Sequence, residues 1–278
     1  MVEKIEFIDD YSGIFLQVGM YDESDLVKIG IQDYENISIE LDALSCLRFF
    51  PKVVNLILRP GCINTEQYQH LYNLNIKRLK LDYYSDMLDE YSIDLSRFPN
   101  LERVFSRTQY NFYNIANCQR LESLIVQEWY TFDLRYLENC GISALKILSG
   151  KLKGLDGINQ LCNLRSLSLS NQRMLTNISE LGDCNKLEIL EIDSCNKVIP
   201  EEIPPINQLK SLLLSGRQSL NDYTFFLRFP NLEQLLLGVK LVDGNISYFQ
   251  NLKHCTILTD YRHYSHKNAD LPKRPVIN

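Results

Sequence analysis

Apolar positions along this chain change period at regular intervals. Four segments spell L-x-x-L-x-L: Leu164/Leu167/Leu169, Leu187/Leu190/Ile192, Leu209/Leu212/Leu214 and Leu232/Leu235/Leu237. Upstream the same pattern continues as Ile142/Leu145/Ile147, Leu121/Leu124/Val126, Leu101/Val104/Ser106, Ile76/Leu79/Leu81 and Val53/Leu56/Leu58. Leu26/Ile29/Ile31 and Leu252/Cys255/Ile257 are the outermost copies. The alternating half puts side chains on one face of a short strand. Between strands the period becomes three, as in Leu175, Ile178, Leu181, Cys184 and Leu187, or Leu41, Leu44, Leu47, Phe50 and Val53. Period three suits a 3₁₀ turn, where residues i and i+3 line up. The copies recur about every 22 residues. One such unit cannot bury its leucines alone, whereas stacked units bury a continuous core. The pattern therefore predicts an α/β repeat solenoid. Its inner face is a parallel β-sheet, and its outer face is built of 3₁₀, short-helical or extended segments.

This pattern resembles the leucine-rich repeat family over residues 26–258. The spacing and the period-three return look like the bacterial internalin-like and phosphatase-regulatory subclass. The resemblance implies a curved sheet whose concave face binds a protein. It also implies an asparagine three residues after the last strand leucine, where its side chain holds the turn backbone. Here that slot carries Tyr84, Gln172, Cys195, Arg217 and Lys240, of which only Cys195 fits, so the other turns must be satisfied differently. A second ladder, Asn100, Asn163, Asn231 and Asn251, stands just before the first strand leucine. Phe98-Pro-Asn-Leu101 and Phe229-Pro-Asn-Leu232 are near-identical copies of this lead-in.

A solenoid needs caps at its ends. Residues 1–25 read as an N-terminal β-hairpin cap, 26–260 as a solenoid of ten or eleven repeats, and 261–278 as a polar tail. Leucine (44) and asparagine (23) dominate the composition, as a repeat would require. The first ten residues lack a basic stretch followed by an apolar one, and no run of apolar residues is long enough to span a membrane. The expectation is a cytoplasmic chain with reduced cysteines. The net charge of −6 disfavours nucleic-acid binding through overall charge.

Cofactor and catalytic motifs are absent: no P-loop, no G-x-G-x-x-G, no G-x-S-x-G and no H-E-x-x-H. The sequence predicts no enzyme, cofactor or metal site. Cys118, Cys140, Cys162 and Cys184 fall one per repeat. Their spacing lacks the C-x₂₋₄-C pairs of metal sites, and they read as small hydrophobes in the core. His263 and His266 lie in the polar tail and read as solvated.

The residues between the strand leucines carry the functional signal. Down the central column these include Ile57, Lys80, Phe105, Ile125, Leu213 and Leu236, where a merely solvated face needs no apolar side chain. Arg78, Arg103 and Arg107 flank this column, and Tyr83, Tyr84, Trp129, Tyr130 and Phe132 follow the strands. Aromatic residues and arginine are enriched at binding hot spots. Phe105, Ile125 and Trp129 are the expected apolar anchors, with Arg78, Lys80, Arg103, Arg107, Tyr83 and Tyr84 around them. The same cluster could instead be local packing in repeats of irregular length. The favoured function is a non-catalytic module binding a protein partner. One specific version is an intracellular inhibitor or immunity-type protein. A phosphatase-regulatory role is implied by resemblance, and a surface adhesin would need a signal sequence. The second class is single-stranded nucleic-acid binding, with the arginines on phosphates and the aromatic rings stacked on bases.

Overall fold

The computed structural model describes residues 16–18, 35–61, 65–84 and 92–273. The chain divides into two compact units, one of Met1–Glu128 with Cys140–Ala144, the other of Trp129–Asn139 with Leu145–Asn278. The first holds β1 (Leu16–Val18), β2 (Asn36–Glu40), β3 (Asn55–Arg59), β4 (Arg78–Leu81), β5 (Ile93–Asp94), β6 (Arg103–Thr108), β7 (Phe112–Tyr113) and all but the last residue of β8 (Ser123–Trp129). Its sheet order is β1-β2-β3-β4-β6-β8, and β5 pairs with β7 apart from it. The second unit holds β9 (Ala144–Gly150, from Leu145 on), β10 (Ser166–Ser170), β11 (Ile189–Asp193), β12 (Ser211–Ser215), β13 (Ser219–Leu220), β14 (Gln234–Leu237), β15 (Lys240–Leu241) and β16 (His254–Ile257). Its sheet order is β9-β10-β11-β12-β14-β16, with β13 and β15 as a separate pair.

The register explains why leucine recurs. Leu167 lies beside Leu190, then Leu212, Leu235 and Cys255, while Leu169 heads the parallel series Ile192, Leu214, Leu237 and Ile257. In the first unit Ile37, Leu56, Leu79, Val104 and Leu124 form one such row. Every member of these rows is buried. The period-three segments return as 3₁₀ helices, including Leu41–Phe49, Ser179–Asp183 and Tyr223–Arg228, which bury Leu41, Leu44 and Leu47, Leu181, and Phe225 and Phe226 in turn. One segment forms a short α-helix, α1 (Tyr68–Tyr72). This is the leucine-rich repeat solenoid that the periodicity predicts.

The strand preceding β3 is β2, with Ile37 and Ile39 in the slots of Leu56 and Leu58. Leu26, Ile29 and Ile31 lie outside the described residues, as does most of the expected hairpin at 1–25. The described part of that segment, β1, runs parallel to β2. At the other end, the segment after Asp260 lies along β16. The Cys255 amide donates to Pro272 O (2.7 Å) and the Ile257 amide to Asn268 Oδ1 (2.9 Å). Tyr264 and Leu271 are buried there.

The asparagine slot is filled by other chemistry. Gln172 is fully buried and donates through Nε2 to Ser170 O at 2.8 Å. The Cys195 thiol donates to Leu169 O at 3.5 Å. Gln218, one residue later than the pattern suggests, donates to Cys195 O (2.6 Å) and Val198 O (3.2 Å). Asn171 and Ser194 take left-handed φ values of 51° and 57° to turn the chain inward here. The lead-in asparagines tie neighbouring repeats from outside: Asn100 bridges Asn75 and Arg120 at 2.6 Å each, and Asn163 accepts from Lys186 at 2.8 Å. No helix among the described residues is long and apolar enough to cross a membrane.

Because Gln218 serves two carbonyls, Gln218→Ala is expected to cost about 1–3 kcal/mol, with Gln218→Asn recovering little of it. Urea unfolding monitored by circular dichroism measures both.

Candidate interaction surface

Alternation along β4, β6 and β8 separates two sets of side chains. Leu79, Leu81, Val104, Leu124 and Val126 enter the core. Their neighbours form three rows on the opposite, solvent side of the sheet. The first runs Asn55, Arg78, Arg103 and Ser123; the central one runs Ser38, Ile57, Lys80, Phe105 and Ile125. One position further on stand Arg59, Asp82, Arg107 and Gln127.

These rows are knitted together. Asn55 donates to Asn36 (2.6 Å) and accepts from Arg78 Nε (2.7 Å). Arg59 pairs with Glu40 at 2.8 Å. Arg107 donates through Nε to Asp82 and through Nη1 to Gln127, each at 2.6 Å, and its guanidinium lies 5.6 Å from the Tyr84 ring centre. Burial works against the Arg107 charge, but the hydrogen bond and charge of Asp82 outweigh it and its pKa is raised. Lys80 Nζ sits 4.8 Å over the Phe105 ring. Among the described residues the Arg103 guanidinium has no hydrogen bond or ion pair.

The expected anchors need correction. Trp129 is not on this face. It occupies the turn slot three residues after Val126, where Gln172 and Cys195 sit in their own repeats, and it is fully enclosed. Its indole Nε1 donates to Asp133 O at 2.9 Å, and Tyr136 meets it edge-on at 6.2 Å. Gly150 has no Cβ because one would strike the Trp129 backbone. Tyr83 is also core, and Asn111 Nδ2 donates to its carbonyl oxygen at 2.6 Å. Phe105 and Ile125 do lie in the central row, but at 7% and 8% exposure they are not projecting anchors. Of the aromatic residues named with them, Tyr84 (55% exposed) and Phe132 (52%) stand out from the surface. Arg78, Lys80, Arg103 and Arg107 are half-buried on the face. Sequence reasoning missed Asn55 and Gln127 as partners of the arginines. Both follow from registering adjacent repeats row by row.

Of the four cysteines that recur one per repeat, three are core residues. Cys118, Cys140 and Cys184 are buried, while Cys162 is exposed. Burial pushes the Cys118, Cys184 and Cys255 thiols up to about 12 and Cys195 to about 11. Cys140 is raised by the same cause. Among the described residues no group of three or more His, Cys, Asp or Glu could hold a metal ion.

The repeat geometry, the parallel sheet and the 3₁₀ returns define a leucine-rich repeat fold. Solved structures similar to the chain include an internalin (inlF) from Listeria monocytogenes, at 20% identity over 82% of this chain and 68% of that one, with a TM-score of 0.52. Another is the TLR13–ssRNA13 complex, at 22% identity over 84% of this chain but only 36% of that one, with a TM-score of 0.59. These likenesses show the fold. No protein-family model and no curated protein sequence matches the chain.

Trp129→Ala is expected to cost about 3–5 kcal/mol in denaturant unfolding, whereas Arg103→Ala should change stability by no more than about 0.5 kcal/mol. The thiols give a pH signature. A thiol raised on folding stays protonated where its unfolded counterpart ionises, so its contribution is intact below the ordinary value of 9.0 and is lost as pH climbs towards about 12. The loss in denaturation midpoint between pH ~8 and pH ~10.5 should therefore be smaller in Cys118→Ala/Cys184→Ala than in the parent chain.

Proposed function

We propose that the chain is a non-catalytic interaction module that takes a protein partner on the solvent side of its sheet. The observation carrying this reading is the apolar side chains on a face that core packing does not require. In the first unit Phe105 and Ile125 adjoin Lys80, Arg78 and Arg103. In the second, Leu213 and Leu236 stand in register and half-buried between Glu191 and Thr256. Apolar side chains bordered by charge are the usual make-up of a protein-binding patch. Tyr84, 55% exposed, offers an accessible aromatic contact beside it. Thiols raised by burial are poor nucleophiles, which agrees with a binding role. A tight, stoichiometric enzyme or toxin target would make the module an inhibitor or immunity-type protein.

Single-stranded nucleic acid is the second reading. Arg78, Lys80 and Arg103 could face phosphates, and TLR13 was solved with ssRNA13. The net charge of −6 and the engagement of Arg107 by Asp82 favour a protein.

The test is capture from the native host's lysate on the full chain and on a Lys80→Glu/Arg103→Glu variant with an unchanged melting curve. One stoichiometric protein, bound at least ~10-fold more weakly by the variant, is the expected outcome. Equal retention by the variant would move binding off this face. Recovery of nuclease-sensitive material alone would favour the nucleic-acid reading.

A further inference from the structure

A second surface lies at the edge of the second unit, in the loops that leave its strands. Consecutive loops run side by side. Thr176 and Asn177 donate to Lys153 O (3.0 and 3.1 Å), and Gly150 and Gln172 form a parallel bridge. The Arg217 amide donates to Asn196 Oδ1 (2.9 Å), β13 pairs with β15, and the Val242 amide donates to Leu220 O (2.8 Å). The Asn171 amide donates to Asp193 O (2.9 Å), so segments 150–153, 171–176, 194–199, 216–221 and 238–242 follow one another along the edge as the strands do.

These segments carry Lys151, Lys153, Arg173, Lys197, Arg217 and Lys240, all exposed, and not one carboxylate. That segregation stands out in a chain with 35 acidic and 29 basic residues. Several other cations of this unit are engaged: Arg165 and Lys210 on Glu188, Lys253 on Glu233, Arg135 on Asp133 and Asp156. Among the described residues the six on the edge make no side-chain hydrogen bond or ion pair. Three lie near rings instead, Lys151 by Tyr130 (5.2 Å), Lys153 by Phe132 (4.0 Å) and Lys240 by Tyr261 (5.7 Å).

Apolar side chains are interleaved with this charge. Phe132 beside Lys153, Met174 beside Arg173, Ile199 after Lys197 and Val242 after Lys240 are all exposed, three of them by 51% or more. Like charges aligned along an edge repel one another, and exposed aliphatic side chains gain nothing from water. A ligand relieves both only if it carries carboxylates and apolar groups along one strip. A phosphate backbone would answer the cations and leave Ile199 and Val242 without a role.

We propose that this loop edge is a docking site for an acidic, apolar-bearing segment of a protein partner, laid across successive repeats. It shares no residue with the sheet-face reading and stands apart from it. The experiment selects peptides from a displayed random library on the full chain and measures them on variants that melt as the parent does. Selected peptides should be rich in Asp and Glu with interspersed Leu, Ile or Phe. They should bind Arg173→Glu/Lys197→Glu at least ~10-fold more weakly and Ile199→Ser several-fold more weakly. Their affinity should fall with added salt. No enrichment, enriched peptides without carboxylates, or undiminished binding to both variants would overturn the proposal. So would a single-stranded RNA oligonucleotide that binds through these cations where the peptides do not.

Discussion

Everything in this molecule depends on one constraint: a repeat of about 22 residues cannot cover its own apolar side chains. It must borrow the leucines of the next repeat, and parallel hydrogen bonding fixes which leucine meets which. Leu190 rests between Leu167 and Leu212 because their strands pair in constant register. A shift by one residue would turn the whole row out to solvent. The strictness of the inward rows is what frees the outward ones. Lys80, Phe105 and Arg103 can vary in character because the fold asks nothing of them beyond extended backbone.

The turns are governed by the same need to satisfy buried backbone groups. The structure meets it with a buried glutamine, a thiol, an indole and a second glutamine at Gln172, Cys195, Trp129 and Gln218. All four reach a carbonyl oxygen, and their shared task is hydrogen-bond donation from inside the turn. This accounts for the largest tryptophan-sized cost in the core sitting at a position that looks, by residue type, like a binding hot spot.

Strands β3, β4, β6, β8–β12, β14 and β16 were legible because leucine at fixed spacing has one physical reading in a repeat. β2 was not, since Asn36-Ile-Ser-Ile-Glu carries only two apolar residues and no leucine. The solvent-facing rows follow directly from alternation, which sets Arg78, Lys80, Arg103, Phe105 and Ile125 on one side of the sheet. Depth was not legible. Residue type says that an aromatic ring is adhesive, but not whether it adheres to its own chain. Trp129 could have been assigned to the core from its slot alone, had the slot been defined by task instead of by asparagine. Arg217 and Lys240 attracted notice only as departures from that slot, and their common edge emerged from the pairing of the loops.

The segment after Asp260 has a bearing on how the molecule behaves in company. A parallel sheet of identical rungs has no intrinsic stopping point, and its last strand is a template for another copy. Here Pro272 and Asn268 occupy the outward amides of β16 before any neighbour can reach them. End-to-end pairing through this edge is thereby blocked by residues 261–273, which belong to no repeat.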